Sequence, residues 1–314
     1  MKRFILQISI FSTFPLLIFL GIFYLADGYT DAYYLRFTAP SQHSLILGTS
    51  RSALGLNPTA MDSVLKGTHF FNYSFTLGHS PYGPVYFESI KRKLDKDTQD
   101  GLFILSVDPW SVSSLTADPN DVSDYREAGR FLDDLKMVSM KPNIFYLIND
   151  YEGSYFRILI DKVQEIAGTR PKPIYVHRNG WLEINIPMDS LSVSKRTLNK
   201  FEVYRKQNLP RYKISSLRIK YLQKTIAYLK EHGKVYLVRL PVPDDMIRIE
   251  SMLYPDFEQD IKKLSMKLNV PYKSYRNNGS TYRYIDGNHL YKTSSRAVSV
   301  DIAHWIQAAS AMAK

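Results

Sequence analysis

The chain contains no cysteine, which excludes a disulfide framework and any thiol chemistry. Its seven histidines are scattered without ligand spacing, so neither a metal nor an organic cofactor is expected. No internal repeat is visible, and acidic residues are outnumbered, 30 against 41 Lys and Arg, for a formal charge of +11. The imbalance is concentrated. Residues 191 to 234 hold twelve Lys and Arg against two Glu, a density suited to anionic lipid headgroups or an acidic envelope polymer. The same density also suits the solvated side of a helix, because Ile214, Leu217, Tyr221, Leu222, Ile226 and Leu229 recur at helical spacing between the cations.

Long apolar runs are equally scarce, with one exception. Lys2 and Arg3 precede an almost unbroken apolar stretch from Phe4 to Ala26, long enough at about 1.5 Å per residue to cross about 30 Å of hydrocarbon. A cleaved signal peptide has a shorter apolar core and a small-x-small exit, and Phe23-Tyr24-Leu25-Ala26-Asp27 offers none. Residues 1–26 therefore read as an uncleaved transmembrane anchor. The two leading cations hold its start in the cytoplasm and the remainder faces the periplasm or exterior. That placement makes nucleic acid an improbable partner. Residues 27–43 read as a juxtamembrane spacer, leaving 44–314 for one large α/β domain.

Within that domain, short apolar runs at 45–47, 69–74, 102–107, 235–240 and 269–272 read as buried parallel strands. Helical patterns at 59–66, 81–94, 215–232 and 244–268 lie between them. The alternation predicts a three-layer α/β/α, flavodoxin-like parallel sheet with its site at the carboxyl ends of the strands. The stretch 111–213 breaks the rhythm and reads as an inserted lobe, helical with one hairpin, 174–178 and 181–186. A two-residue turn at Asn179-Gly180, with positive φ at both residues, is expected to join its strands.

Two fragments carry the chemistry. Gly48-Thr49-Ser50-Arg51 follows Ser44-Leu45-Ile46-Leu47, and Asp286-Gly287-Asn288-His289 stands near the far end. A serine on a tight turn after a buried strand can act as a nucleophile when a histidine takes its proton and a carboxylate orients the ring. Ser50, His289 and Asp286 take those roles. The backbone N–H groups of Ser50 and Gly78 are the expected oxyanion donors, with the Asn72 amide as a third. Asp301-Ile302-Ala303-His304 repeats the Asp-x-x-His spacing, but its apolar neighbours Val298, Ile302, Trp305 and Ile306 assign it to a helix.

In block order the chain resembles the SGNH (GDSL-like) hydrolase superfamily. Gly48-Thr49-Ser50 matches the nucleophile block, Gly78 the oxyanion glycine, and Asp286-Gly287-Asn288-His289-Leu290 the terminal Asp-x-x-His. Thr49 stands where the family's Asp precedes the nucleophile, and Ser106-Val107-Asp108-Pro109 replaces its Gly-x-Asn-Asp. Gly-Thr-Ser-Arg, Val-Asp-Pro and Val238-Arg239-Leu240-Pro241 are more similar to the membrane-anchored branch, which includes accessory proteins of teichoic-acid D-alanylation and exopolysaccharide O-acetylation. The resemblance implies an esterase or O-acyltransferase acting on an acylated glycan or envelope polymer beside a multispanning membrane acyltransferase. An ionised Asp108 would repel an oxyanion, so at the site it is expected to be protonated, to bind a substrate hydroxyl, or to mark a site that is not hydrolytic; Arg51 and Arg239 would bind an anionic group, hold Asp108, or brace loops as ion pairs. The departures at Thr49 and Asp108 imply the alternative, a non-catalytic glycan-binding or scaffold subunit with the same fold.

Overall fold

Strand formation follows the apolar runs. The computed structural model describes residues 1–169 and 173–312. Its strands are β1 (Ser44–Leu47), β2 (Phe70–Asn72), β3 (Gly101–Ser106), β4 (Ser113–Ser114), β5 (Ile174–Val176), β6 (Leu182–Ile184), β7 (Lys213–Ile214), β8 (Gly233–Arg239) and β9 (Tyr272–Ser274). Five of them form one sheet in the order β2-β1-β3-β8-β9, every pair parallel. The order reverses at β1, the point where open α/β sheets leave a crevice beyond their carboxyl ends.

The helices are α1 (Lys2–Leu25), α2 (Ser50–Gly55), α3 (Pro58–Asp62), α4 (Pro84–Lys93), α5 (Ile144–Asn149), α6 (Tyr155–Ile166), α7 (Ser190–Val203), α8 (Ser216–Lys230), α9 (Asp244–Leu253), α10 (Phe257–Leu268) and α11 (Lys292–Met312). Alternate strand residues point to opposite faces, and the two faces bury different helices. Leu45, Leu47, Phe103, Leu105, Val235 and Leu237 pack with α4, α8 and α10. Ile46, Ile104, Tyr236 and Val238 pack with α3 and α11. The result is helices on both faces of a parallel sheet.

The elements depart from sequence expectation where local chemistry overrides periodicity. The single helix expected over 244–268 is two, because Pro255 has no N–H and disfavours a helical backbone at Tyr254, which has φ of −144° and ψ of 85°. The last strand begins at Tyr272, since Asn269 closes α10 in the left-handed conformation with φ of 50°. In the hairpin, Gly180 N–H donates to His177 O and His177 N–H to Trp181 O, and of the two turn residues only Gly180 has positive φ. This is a three-residue connection whose last member is left-handed, rather than the two-residue turn. The hairpin tip docks on the sheet, with Asn72 N–H donating to Asn179 O at 2.8 Å, so the exposed side of the edge strand β2 is covered.

The inserted stretch leaves and rejoins the sheet domain at one place, where β4 and β7 pair antiparallel. Its residues 170–172, and the last two residues of the expected domain, 313–314, lie outside the described residues. A buried Arg218–Glu127 ion pair at 2.7 Å locks the lobe to α8. Much of the basic excess of 191–234 is likewise engaged. Lys200, Arg205 and Lys206 pair with acids, while Arg196, Lys213 and Lys230 donate to carbonyls.

Residues 27–43 are no loose spacer. Tyr34, Arg36 and Phe37 are fully buried, and Phe23 and Ala26 at the end of α1 are buried as well; burying an aromatic such as Phe37 stabilises by about 1.5–3 kcal/mol. Lys93 fastens this segment to the lobe, its buried Nζ donating to Ala39 O and Val138 O over the rings of Phe71 and Tyr73. Burial lowers the Lys93 amine to about 7. The unfolded chain, with an amine near 10.5, therefore binds more protons than the folded one between pH 7 and 10.5, and stability rises with pH across that window. Thermal melts between pH 7 and 10 should show this rise in the wild type and a weaker one in Lys93→Met.

Candidate active site

The turn after β1 is shaped by close packing. A side chain at Gly48 would place its Cβ 2.9 Å from the Ser106 Cβ, and the backbone there has φ of 145°, so only glycine fits. Its peptide is clamped from both sides: Gly48 N–H donates to Tyr86 Oη at 3.0 Å, and its carbonyl accepts from Ser80 Oγ at 2.7 Å. Ser50 opens α2, so its N–H has no acceptor within the helix and lies at the positive end of the helix dipole.

The second fragment forms a tight loop after β9. Ile285 N–H donates to His289 O, and Tyr284 pairs with Leu290 across the loop base. Inside it Asp286 Oδ1 accepts from the backbone N–H groups of Asn288 and His289 at 2.9 and 2.8 Å. The Asp286 carboxylate also meets His289 Nδ1 at 3.0 and 3.1 Å. His289 Nε2 lies 2.9 Å from Ser50 Oγ, across 239 positions of chain. Burial works against the charge on Asp286, yet the His289 ring and Lys200 pull its carboxyl below the usual range.

Asn288 settles which ring nitrogen carries the proton. Its Oδ1 accepts from Arg51 Nε and Nη2 at 2.9 and 2.7 Å, and a guanidinium can only donate. The amide NH2 therefore faces His289 Nε2, 3.1 Å away, and Nε2 must accept. The proton of the neutral ring sits on Nδ1 against Asp286, leaving Nε2 to receive the Ser50 hydroxyl.

Arg51 is itself held in a buried charge cluster. Its Nη1 pairs with Glu250 and lies 3.6 Å from Asp108, while Arg239 bonds Glu250 at 2.7 Å and Glu258 at 2.8 Å. Burial opposes the Arg51 charge, but Glu250 and then Asp108 more than offset it and raise the group above its ordinary value. Two guanidiniums face three carboxylates, and burial pushes the Asp108 carboxyl up, against the pull of Arg51. Asp108 also accepts from Ser111 N–H at 3.0 Å, which holds it in the loop after β3.

A cleft of about 340 Å³ opens over Ser50 and His289, lined also by Gly78, Arg126, Lys200 and Tyr204. Its far wall is the inserted lobe. Lys200 of α7 reaches Asp286 at 3.2 Å, Arg196 donates to Ile285 O at 2.7 Å, and the Phe201 ring stands 2.4 Å from where a Cβ at Gly287 would lie. Gly287 is thus the space the lobe helix occupies. The π-helical turn Tyr204–Asn208 continues α7 into the cleft, a local widening often found at functional sites.

Of the residues singled out by sequence, Ser50, His289 and Gly78 line this cleft, and Asp286 lies behind the His289 ring. Gly78 N–H is 3.3 Å from Thr76 Oγ1, and the Arg126 guanidinium lies 3.4 Å from its would-be Cβ. Asn72 is placed elsewhere: both amide hydrogens go to the Ser52 and Leu56 carbonyls and its oxygen accepts from Ser74 N–H, leaving no donor for an oxyanion. Arg51, Arg239 and Asp108 sit in the buried cluster, where both guanidiniums pair with Glu250, Arg239 also with Glu258, and Arg51 stands beside Asp108. Sequence reading missed Asn288, Glu250 and Lys200. Asn288 lay in plain view within the Asp-x-x-His block, whereas nothing local marks Glu250 or Lys200. No protein-family model and no curated protein sequence matches the chain.

Two outcomes follow from the brace and the ring. The ¹⁵N shifts of the neutral His289 ring should report a protonated Nδ1 and a bare Nε2; the reverse tautomer would contradict the Asn288 orientation. Glu250→Ala strands two buried guanidiniums and should cost about 3–5 kcal/mol, read as a lower thermal midpoint of the detergent-solubilised chain.

Proposed function

We propose that this chain is a membrane-tethered SGNH-type serine esterase or O-acyltransferase that works outside the cytoplasm on acyl groups of an envelope or secreted glycan. The observation that carries the reading is the 2.9 Å approach of Ser50 Oγ to His289 Nε2 with Asp286 on the opposite ring nitrogen. The sheet order β2-β1-β3-β8-β9 supports the fold assignment. Among the described residues, α1 is the one helix long and apolar enough to cross a membrane, and Lys2 and Arg3 would orient it with the domain outside.

In the proposed reaction Ser50 Oγ bonds to the acyl carbonyl carbon while its proton moves to Nε2. The carbonyl oxygen takes up the negative charge against the Ser50 and Gly78 N–H groups, the latter turning from Thr76 to do so. Collapse breaks the ester C–O bond, and Nε2–H gives its proton to the departing sugar oxygen. The acyl-serine is then resolved by water, which is hydrolysis, or by another sugar hydroxyl, which is transfer. A multispanning acyltransferase in the same membrane would be the partner for transfer.

A second reading, a glycan-binding or scaffold subunit without turnover, draws on two observations. The Gly78 N–H is already satisfied by Thr76, and neither Asn72 nor Asp108 offers a side-chain oxyanion donor. One experiment separates the two. A fluorophosphonate should label the wild type stoichiometrically at Ser50, and Ser50→Ala should lower acetyl-ester turnover by at least about a thousandfold. Activity that survives Ser50→Ala removes the nucleophile assignment. Absent labelling combined with retained glycan binding favours the scaffold.

A further inference from the structure

Among the described residues that follow α1, twelve large apolar side chains are exposed, and six of them fall between 145 and 174: Phe145, Ile148, Phe156, Val163, Ile166 and Ile174. Three belong to α6, where Phe156, Val163 and Ile166 are 67, 65 and 80% exposed. With Ile160 between them they fall on one side of the helix at spacings of three to four residues. The other side buries Ile158 and Asp161. α6 thus turns its apolar stripe away from the domain and an acid toward it, the inverse of a water-facing helix. α5 is joined to it by Tyr155 Oη donating to Leu147 O at 2.9 Å and adds Phe145 and Ile148.

The position of α6 relative to α1 identifies what covers this face. Tyr155 packs edge-on against Phe19 and Phe23 of α1, at ring-centroid distances of 6.2 and 5.2 Å. Counted from Phe4, about 20 residues traverse the hydrocarbon, which brings Phe23 to its edge. Phe19 lies about 6 Å deeper at about 1.5 Å per residue. Helices lying in a bilayer interface sit about 5–10 Å into the headgroup and acyl boundary, the same depth. The joint is stiff, because Phe23 and Ala26 are buried in the domain core. Lys141 stands 5.8 Å over the ring of the exposed Tyr24, a pairing suited to headgroup level.

We propose that α6, with α5 beside it, lies in the membrane interface at the C-terminal end of α1 and that its apolar face contacts lipid acyl chains. The inference rests on the reading of α1 as a membrane span. Two-point attachment of this kind fixes the height and tilt of the domain, where a lone span would leave both free.

The cysteine-free chain allows a direct test. Single nitroxide labels are attached to the full chain after Ile10→Cys, Phe156→Cys, Val163→Cys or Lys224→Cys, and the protein is placed in phosphatidylethanolamine/phosphatidylglycerol vesicles. Collision with oxygen is compared with collision with a nickel chelate. Position 10 should be deep, 156 and 163 should show a several-fold excess of oxygen over nickel contact at shallow depth, and 224 should be nickel-accessible. Nickel access at 156 and 163 with position 10 still deep overturns the lipid contact of α6 and leaves the span standing. Nickel access at position 10 overturns the span and the inference together. Labels at 156 and 163 shielded from both agents mean that a second copy of the chain covers this face, which also overturns lipid contact.

Discussion

A buried guanidinium is the constraint on which the site depends. A charge as deeply enclosed as that of Arg51 is tolerable only when its donors are matched, and its partners come from three separate places: Asn288 in the loop after β9, Glu250 in α9 and Asp108 after β3. Because Arg51 directly follows Ser50, satisfying its charge pulls the histidine loop against the serine turn. The same bonds orient Asn288, and Asn288 in turn dictates that Nε2 accepts. One electrostatic requirement therefore sets both the separation of Ser50 and His289 and the tautomer of the ring.

The inserted lobe completes what the sheet alone leaves open. Stranded on the sheet's rim, the Asp286 loop would face solvent on its outer side. α7 closes that side with Arg196 on a backbone carbonyl, Phe201 over Gly287 and Lys200 on the Asp286 carboxylate. Lys200 and Arg126 make the cleft cationic where it borders Ser50 and Gly78. Elsewhere in the lobe, α6 meets α1. The insertion thus joins the region that lines the cleft to the region that borders the apolar helix α1, and the buried Arg218–Glu127 pair ties it to the sheet domain.

How much of this was legible in the chain can be judged element by element. Leu45 to Leu47, Leu102 to Val107 and Val235 to Leu240 announced the central strands because a sheet buried on both faces needs unbroken apolar runs. The helical pattern over 244–268 concealed a break, since apolar periodicity persists across Pro255 while the helical backbone does not. The Asn-Gly signal located the hairpin but not its register, which the contact of Gly180 with Asn72 O helps decide. Ser50, Asp286 and His289 were visible as motifs. Asn72, by contrast, was misplaced because its amide is consumed by carbonyls of α2 and the residue after it, contacts that no spacing rule encodes.

The amino-acid order by itself determined the apolar first helix, the α/β alternation and the two chemical fragments, because each depends on residues close together in the chain. Only the tertiary structure decided that Arg51 meets Asn288 and Glu250, that Asn288 orients the ring, and that Lys200 reaches Asp286. Those outcomes depend on which buried charges and amides meet after folding. Such pairings are governed by desolvation and distance in three dimensions, quantities that a local pattern does not carry.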